Sequence, residues 1–166
     1  GRRAHPPRVE KVWTMKVNQK EKTLAKLSAL AATADEEKVR ARGHRFNEGL
    51  TLPVVVEDRL EDVKSTSEVL DTLKSIGVSD DVVRAKDGIR IRAGRGKMRG
   101  RPYRMPRSLL IVVSAHDAAV VKGARNLPGV EVAFAEMLNP GHLAPGGMPG
   151  RLTVFTESAL KKIGEW

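Results

Sequence analysis

Apolar residues change their spacing several times along this 166-residue chain, and each change marks an element. Residues 1–17 (GRRAHPPRVEKVWTMKV) follow neither a helical nor a strand period, and Pro6–Pro7 disfavours both, so they read as an extended arm. Leu24, Leu27, Leu30 and Ala31 then recur at helical spacing among Ala25, Ala29 and Ala32. Asn18, with Glu21 three residues on, offers a capping box for that helix, which is expected to run to about Ala34. Asp35 is placed to cap a short second helix that Gly43 ends. Leu52 to Val56 is a β-branched run too short for a helix and reads as a buried strand. Ser65 and Glu68 offer another capping box, before a stripe of Val69, Leu70, Leu73 and Ile76 that Gly77 stops. Val82 and Val83 fit a small helical turn after Ser79.

The second half carries the strongest strand signal. Leu109 to Val113 (LLIVV) is apolar at every position, as in a central strand covered by helices on both faces. Ala118 to Ala124 fits a short helix, and Val130–Phe134 and Leu152–Phe155 supply two further strands. Asn139 to Gly150 (NPGHLAPGGMPG) between them is turn chemistry throughout. Thr156 or Ser158 starts a last helix through Ile163. Strands alternating with helices predict a layered α/β domain over residues 18–166 with a largely parallel sheet, preceded by the arm at 1–17. No internal repeat is visible.

Charge changes this picture at one place. The net charge is +10, but residues 51–83 hold 3 basic and 8 acidic side chains, whereas residues 84–107 hold 10 basic and 1 acidic. Residues 1–50, with 12 basic against 6 acidic, form the other cationic region. From Gly88 to His116 there is no Asp or Glu at all, and eight of the eighteen residues from Arg90 to Arg107 are basic, seven of them Arg. A segment so charged repels itself and is expected to stay open and solvated as a basic loop, 88–107, until a polyanion compensates it. Nucleic acid is the obvious one. Arginine favours forked phosphate contacts and stacking on unpaired bases, which suits folded RNA better than a uniform duplex.

The candidate RNA-binding residues are therefore Arg2, Arg3, His5, Arg8, Lys11 and Lys16 in the arm, and Arg90, Arg92, Arg95, Lys97, Arg99, Arg101, Arg104 and Arg107 in the loop. Gly94, Gly96 and Gly100 permit positive φ and close approach of backbone to phosphate. Tyr103 is placed to stack on a base. Arg151, beside the turn at 145–150, is a further candidate. The acidic group Glu57, Asp58, Glu61 and Asp62 lacks the spacing of a calcium loop and reads as a solvated face that turns phosphate away.

Catalytic patterns fail on their spacing. Gly94-Arg-Gly96 follows a possible strand, but the third glycine of a dinucleotide fingerprint arrives one residue late at Gly100, and Arg-Pro-Tyr is no helix start. Lys97 is followed by Met98, not Ser or Thr, so a phosphate loop is excluded. Ser158 and Lys161 match an acylating Ser-x-x-Lys pair, but only five residues remain for its partner elements. The four histidines (5, 44, 116, 142) show no metal-ligand spacing, and only His116 has a carboxylate beside it in sequence. There is no cysteine, hence no thiol nucleophile, disulfide or Cys-based metal site. No apolar run approaches the ~20 residues of a membrane span. The expectation is a non-enzymatic, intracellular protein without cofactor, metal, membrane or small-molecule substrate. The chain does not begin with Met, and an upstream segment is expected.

Five strings sharpen this reading: GRRAHPP (1–7), SALAATA (28–34), LPVVVED (52–58), AGRGKMRGRPYR (93–104) and LAPGGMPGRLTVFTESAL (143–160). Their order over the whole chain resembles the family of the fourth protein of the large ribosomal subunit, in its archaeal–eukaryotic form. The resemblance implies an α/β fold, a three-layer α/β/α domain with a largely parallel sheet of about four strands, plus an extended basic arm. It implies that Gly1 to Lys16 are the returning limb of a long internal extension toward the peptide exit tunnel, without the family's N-terminal strand, outgoing limb and tip. It further implies a structural component of the cytoplasmic ribosome that binds ribosomal RNA, supports subunit assembly and meets neighbouring large-subunit proteins. Two alternatives remain: a nucleotide-cofactor-dependent RNA-modifying enzyme on a Rossmann-like sheet, and a non-specific DNA-compacting protein.

Overall fold

A computed structural model describes residues 1–165. Seven helices are present among them: α1 (Gln19–Ala31), α2 (Glu36–Ala41), α3 (Thr66–Ile76), α4 (Ser79–Asp87), α5 (Val120–Ala124), α6 (Pro140–Leu143) and α7 (Glu157–Gly164). The strands are β1 (Val54–Val56), β2 (Arg90–Ile91), β3 (Tyr103–Arg104), β4 (Leu110–Val113), β5 (Glu131–Phe134) and β6 (Thr153–Thr156). Four of them form one parallel sheet in the order β1-β6-β4-β5. Residues 1–17 carry neither helix nor strand and are exposed.

The alternation of β4 builds the three layers. Ile111 and Val113 face a core that includes Val39, Val69, Leu73, Val82 and Val120, from α2, α3, α4 and α5. Leu110 and Val112 face the opposite core, with Ala29 of α1, Leu143 of α6, and Ala159 and Ile163 of α7. Successive side chains of a strand point to opposite faces, so a strand apolar at every position requires both faces to be covered. All four β4 residues are buried, as are all four of β6.

The helix ends follow their local chemistry only in part. Asp35, Asn139 and Thr156 accept from the backbone N–H of Lys38, His142 and Ala159 and so cap α2, α6 and α7. At Gly77, φ is 89°, and the N–H groups of Gly77 and Val78 both donate to Leu73 O, closing α3 as a left-handed glycine cap does. The two predicted capping boxes do not form: Asn18 makes no side-chain cap, and Ser65 Oγ meets Ser67 Oγ at 2.7 Å.

Several other expectations are corrected. α1 ends at Ala31, three residues before the expected end; Leu24 and Leu27 are exposed, Leu30 is partly buried against the core, and Ala29 and Ala32 are buried. Ala25, Ser28 and Ala29 share a cleft with Pro140, Gly141 and Ala144. The Leu52–Val56 strand is not buried on both faces; β1 lies at the sheet edge with Val55 exposed. The helix after Ser79 runs nine residues, since Asp80 and Asp81 at its start and Arg84 and Lys86 near its end suit the helix dipole. The Asn139–Gly150 stretch holds α6 and a further 3-10 turn, Pro145–Gly147.

Candidate nucleic-acid interface

The acid-free segment is not an open loop. It folds back as an antiparallel ribbon in which Arg90 pairs with Arg104 and Ile91 with Tyr103, around a 3-10 turn at Gly94–Arg99. Arg92 holds the ribbon closed. Its backbone N–H donates to Pro102 O at 2.7 Å, its Nε to Arg101 O at 3.2 Å, and a terminal nitrogen to Tyr103 O at 3.3 Å. Intrachain backbone bonds, absent from a charge-only argument, are what order the segment. Gly94 and Gly100 both adopt φ of +73° with open space where a Cβ would stand; Gly96 does not, and a Cβ there would meet Arg92 Cδ at 2.8 Å.

Strand alternation gives the ribbon two faces. One carries the cross-strand Arg90–Arg104 pair, the other Ile91 and Tyr103, and all four side chains are exposed. Like charges directly opposite one another destabilise a strand pair. Arg90, Arg95, Lys97, Arg99, Arg101 and Arg104 are exposed, and among the described residues none has an acidic partner. Six cations without a carboxylate constitute the largest uncompensated charge of the fold.

The residues expected to form the arm make no such ribbon. Arg2, Arg3, His5, Arg8, Lys11 and Lys16 are exposed, and Lys11 Nζ lies 4.5 Å over the Trp13 ring. No hydrogen bond or ion pair among the described residues joins these side chains to the ribbon.

At the base of the ribbon the arginines change role. Arg107 is exposed but pairs with Glu131 at 3.2 Å. Arg151 is 0% exposed, and its guanidinium reaches Glu131 Oε2 at 2.7 Å, His142 O at 2.8 Å, Ser108 O at 3.1 Å and Leu109 O at 3.4 Å. The expectation that Arg151 contacts RNA is thereby corrected: its donors are committed to protein acceptors in the interior. Burial works against the Glu131 charge, but the bond and field of Arg151 and the nearby Arg107 hold its carboxyl below the usual carboxylate range.

A buried carboxylate, Asp81, was not legible in the sequence. Asp81, 0% exposed, accepts from Ser108 Oγ at 2.8 Å, Arg45 N at 3.0 Å and Arg84 Nε at 2.8 Å, and its Oδ2 lies 2.9 Å from His44 Nδ1. Burial alone would raise its pKa, yet the bonds from His44 and Arg84 outweigh that and hold it far below the ordinary value. Serine, histidine and aspartate here do not make a nucleophile. Ser108 and His44 both turn to the carboxylate, so no base faces the hydroxyl. Arg84 also donates to Arg107 O at 2.8 Å, tying this cluster to the ribbon's exit.

The acidic group after β1 also proves structural in part. Glu61 accepts from Ser114 N and Ser114 Oγ, both at 2.8 Å, and from Thr156 Oγ1 at 2.7 Å. Those residues lie at the carboxyl ends of β4 and β6, where open parallel sheets of this kind hold nucleotides. A carboxylate fills that crevice here, which argues against the cofactor-dependent enzyme. Asp58 accepts from Ser158 N at 2.9 Å and Ser158 Oγ at 2.5 Å, at the start of α7. Among the described residues no group of His, Asp and Glu is arranged to hold a metal ion, and no helix is long and apolar enough to cross a membrane.

A three-layer α/β domain that projects an acid-free basic ribbon is the class defined by this fold and surface. The chain belongs to the ribosomal protein L4/L1 family, whose model matches residues 1–166. It is 54% identical over 165 residues to large ribosomal subunit protein uL4 of Methanocaldococcus jannaschii, covering 99% of this chain and 65% of that protein. The protein of the same name from Archaeoglobus fulgidus is 55% identical, with 100% of this chain and 65% of the relative covered. For Saccharolobus solfataricus the identity is 53%, with 99% and 62% covered. The chain thus spans roughly two thirds or slightly less of the length of these relatives.

Proposed function

We propose that this chain is a structural, non-catalytic component of the large ribosomal subunit that binds ribosomal RNA through its ribbon and arm, working in the cytoplasmic ribosome beside other large-subunit proteins. One observation carries the reading: Arg90 stands opposite Arg104 on an exposed ribbon, with no carboxylate among the described residues to offset either. Like charges facing each other cost the ribbon stability, and an external polyanion would offset that cost. Membership of a ribosomal protein family supports ribosomal RNA as that polyanion. On this reading the Arg90–Arg104 face grips phosphates, Tyr103 stacks on a base, and Gly94 and Gly100 let backbone approach the chain. The arm from Arg2 to Lys16 contributes a second set of phosphate contacts and belongs to the extension toward the peptide exit tunnel, and early RNA binding supports subunit assembly.

The test is equilibrium binding to a large-subunit ribosomal RNA transcript and to duplex DNA across a range of salt. With ~6 phosphates neutralised, log K should fall with log salt at a slope of about −4 to −5, and RNA should be preferred. Equal affinity for duplex DNA would favour a compacting protein instead. A slope near zero would remove the basis of the reading.

A further inference from the structure

Beside the foot of the ribbon lies a cavity of about 330 Å³ that the phosphate-gripping role does not use. Ala41, Pro106 and Met148 form apolar walls, and the guanidinium groups of Arg42, Arg84 and Arg107 line the rest. Pro106 and Arg107 leave the ribbon only two and three residues after Arg104, so RNA lying on the arginine face reaches the mouth of this cavity.

Its charge is not balanced within the protein. Arg42, Arg84, Arg107 and the adjacent Arg151 are answered only by Asp81 and Glu131, and Arg42 has no carboxylate partner. Arg42 instead donates to the carbonyls of Met148 and Pro145, which fixes the loop forming one wall. Burial, and then the neighbouring charge of Arg84, press the Arg42 guanidinium below its usual value.

His44 also lines the cavity, and its Nδ1 faces the Asp81 carboxylate, an acceptor only, so Nδ1 carries a proton. Its Nε2 is shielded from solvent and has no hydrogen-bond partner among the described residues. A phosphate alone would satisfy the arginines but leave the apolar walls without an occupant.

We propose that this cavity receives one unstacked nucleotide of the RNA: base between Pro106 and Met148, and phosphate facing Arg42, Arg84 and Arg107. The proposal rests on the RNA-binding reading and adds to it a single-nucleotide pocket outside the ribbon. A volume of about 330 Å³ is at the small end of ligand pockets and suits one such unit.

The experiment compares the unmodified chain, Ala41→Phe, and the ribbon double variant Arg90→Ala/Arg104→Ala on a large-subunit ribosomal RNA transcript, by affinity and by 2′-hydroxyl acylation of the complexes. Ala41→Phe fills the cavity and removes no cation. It should weaken binding roughly tenfold, and a nucleotide hyperreactive in the unmodified complex should lose that reactivity. Met148→Trp narrows the cavity from the opposite wall and repeats the test if Ala41→Phe melts early. Unchanged affinity, or lost affinity with no nucleotide-specific change in reactivity, overturns the pocket. If the ribbon variant also binds as the unmodified chain does, the RNA-binding reading itself falls; if it alone weakens, only the pocket does.

Discussion

Arg151 and Arg104 are the same residue type put to opposite uses. Arg151 lies in the interior with a carboxylate and three backbone carbonyls around it. Arg104 stands exposed across from Arg90 with no carboxylate partner among the described residues. The contrast separates a region whose charge is neutralised by the protein from one whose charge is left for a partner. Sign and density of charge do not distinguish them; the position of acceptors does.

The comparison breaks most sharply at the buried end. Arg151→Ala leaves Glu131 and the carbonyls of Ser108, Leu109 and His142 short of a donor and should cost about 3–5 kcal/mol of stability, read by denaturant unfolding. Asp81→Asn comes next, at about 2–3 kcal/mol, because His44, Arg84 and Ser108 lose an ionised acceptor. Its pH dependence has a definite sign. The folded Asp81 carboxyl lies far below its unfolded value of about 3.9, so its contribution is complete above that value and is lost as pH falls toward the folded one. Acid unfolding of Asp81→Asn should accordingly show a shallower loss over that window than the unmodified chain.

At the exposed end the stability effects should shrink while RNA binding responds. Replacing Arg95, Lys97, Arg99 and Arg101 together by Ala should leave stability within about 0.5 kcal/mol. The salt slope of RNA binding should become less steep by about 3 in the same variant. An unchanged slope would erase the distinction between the two regions. Arg104→Gln is the finest probe. It should strengthen the free ribbon by about 0.2–0.5 kcal/mol by relieving the cross-strand repulsion, seen as slower hydrogen exchange at the Arg92 amide. The same change should weaken RNA binding, and a ribbon loosened by it would mean that the pair is not repulsive in the folded chain.

What was legible in the sequence follows from how far each signal reaches along the chain. Strand β4, apolar at every position, announces a sheet covered on both faces, and Gly77 announces the end of α3, because both depend on near neighbours. The acid-free stretch was visible as charge, but its pairing as a ribbon was not, since Arg92 closes it through backbone carbonyls that composition does not reveal. Arg151 read as one more surface cation because its partner Glu131 lies twenty residues away in another strand. The His44–Asp81 pair, 37 residues apart, gave no local sign at all.

The register of the sheet also sets an order of events. Val54 of β1 sits beside Val154 of β6, whereas the two limbs of the ribbon meet across a short local turn. As the chain emerges from its N-terminal end, the hairpin is complete well before β6, the partner of β1 a hundred residues on, arrives, and distant parallel pairings form slowly. The cationic finger is therefore on offer to a polyanion while the body that carries it is still unfinished, and a nascent chain can be tethered first and zipped shut afterwards.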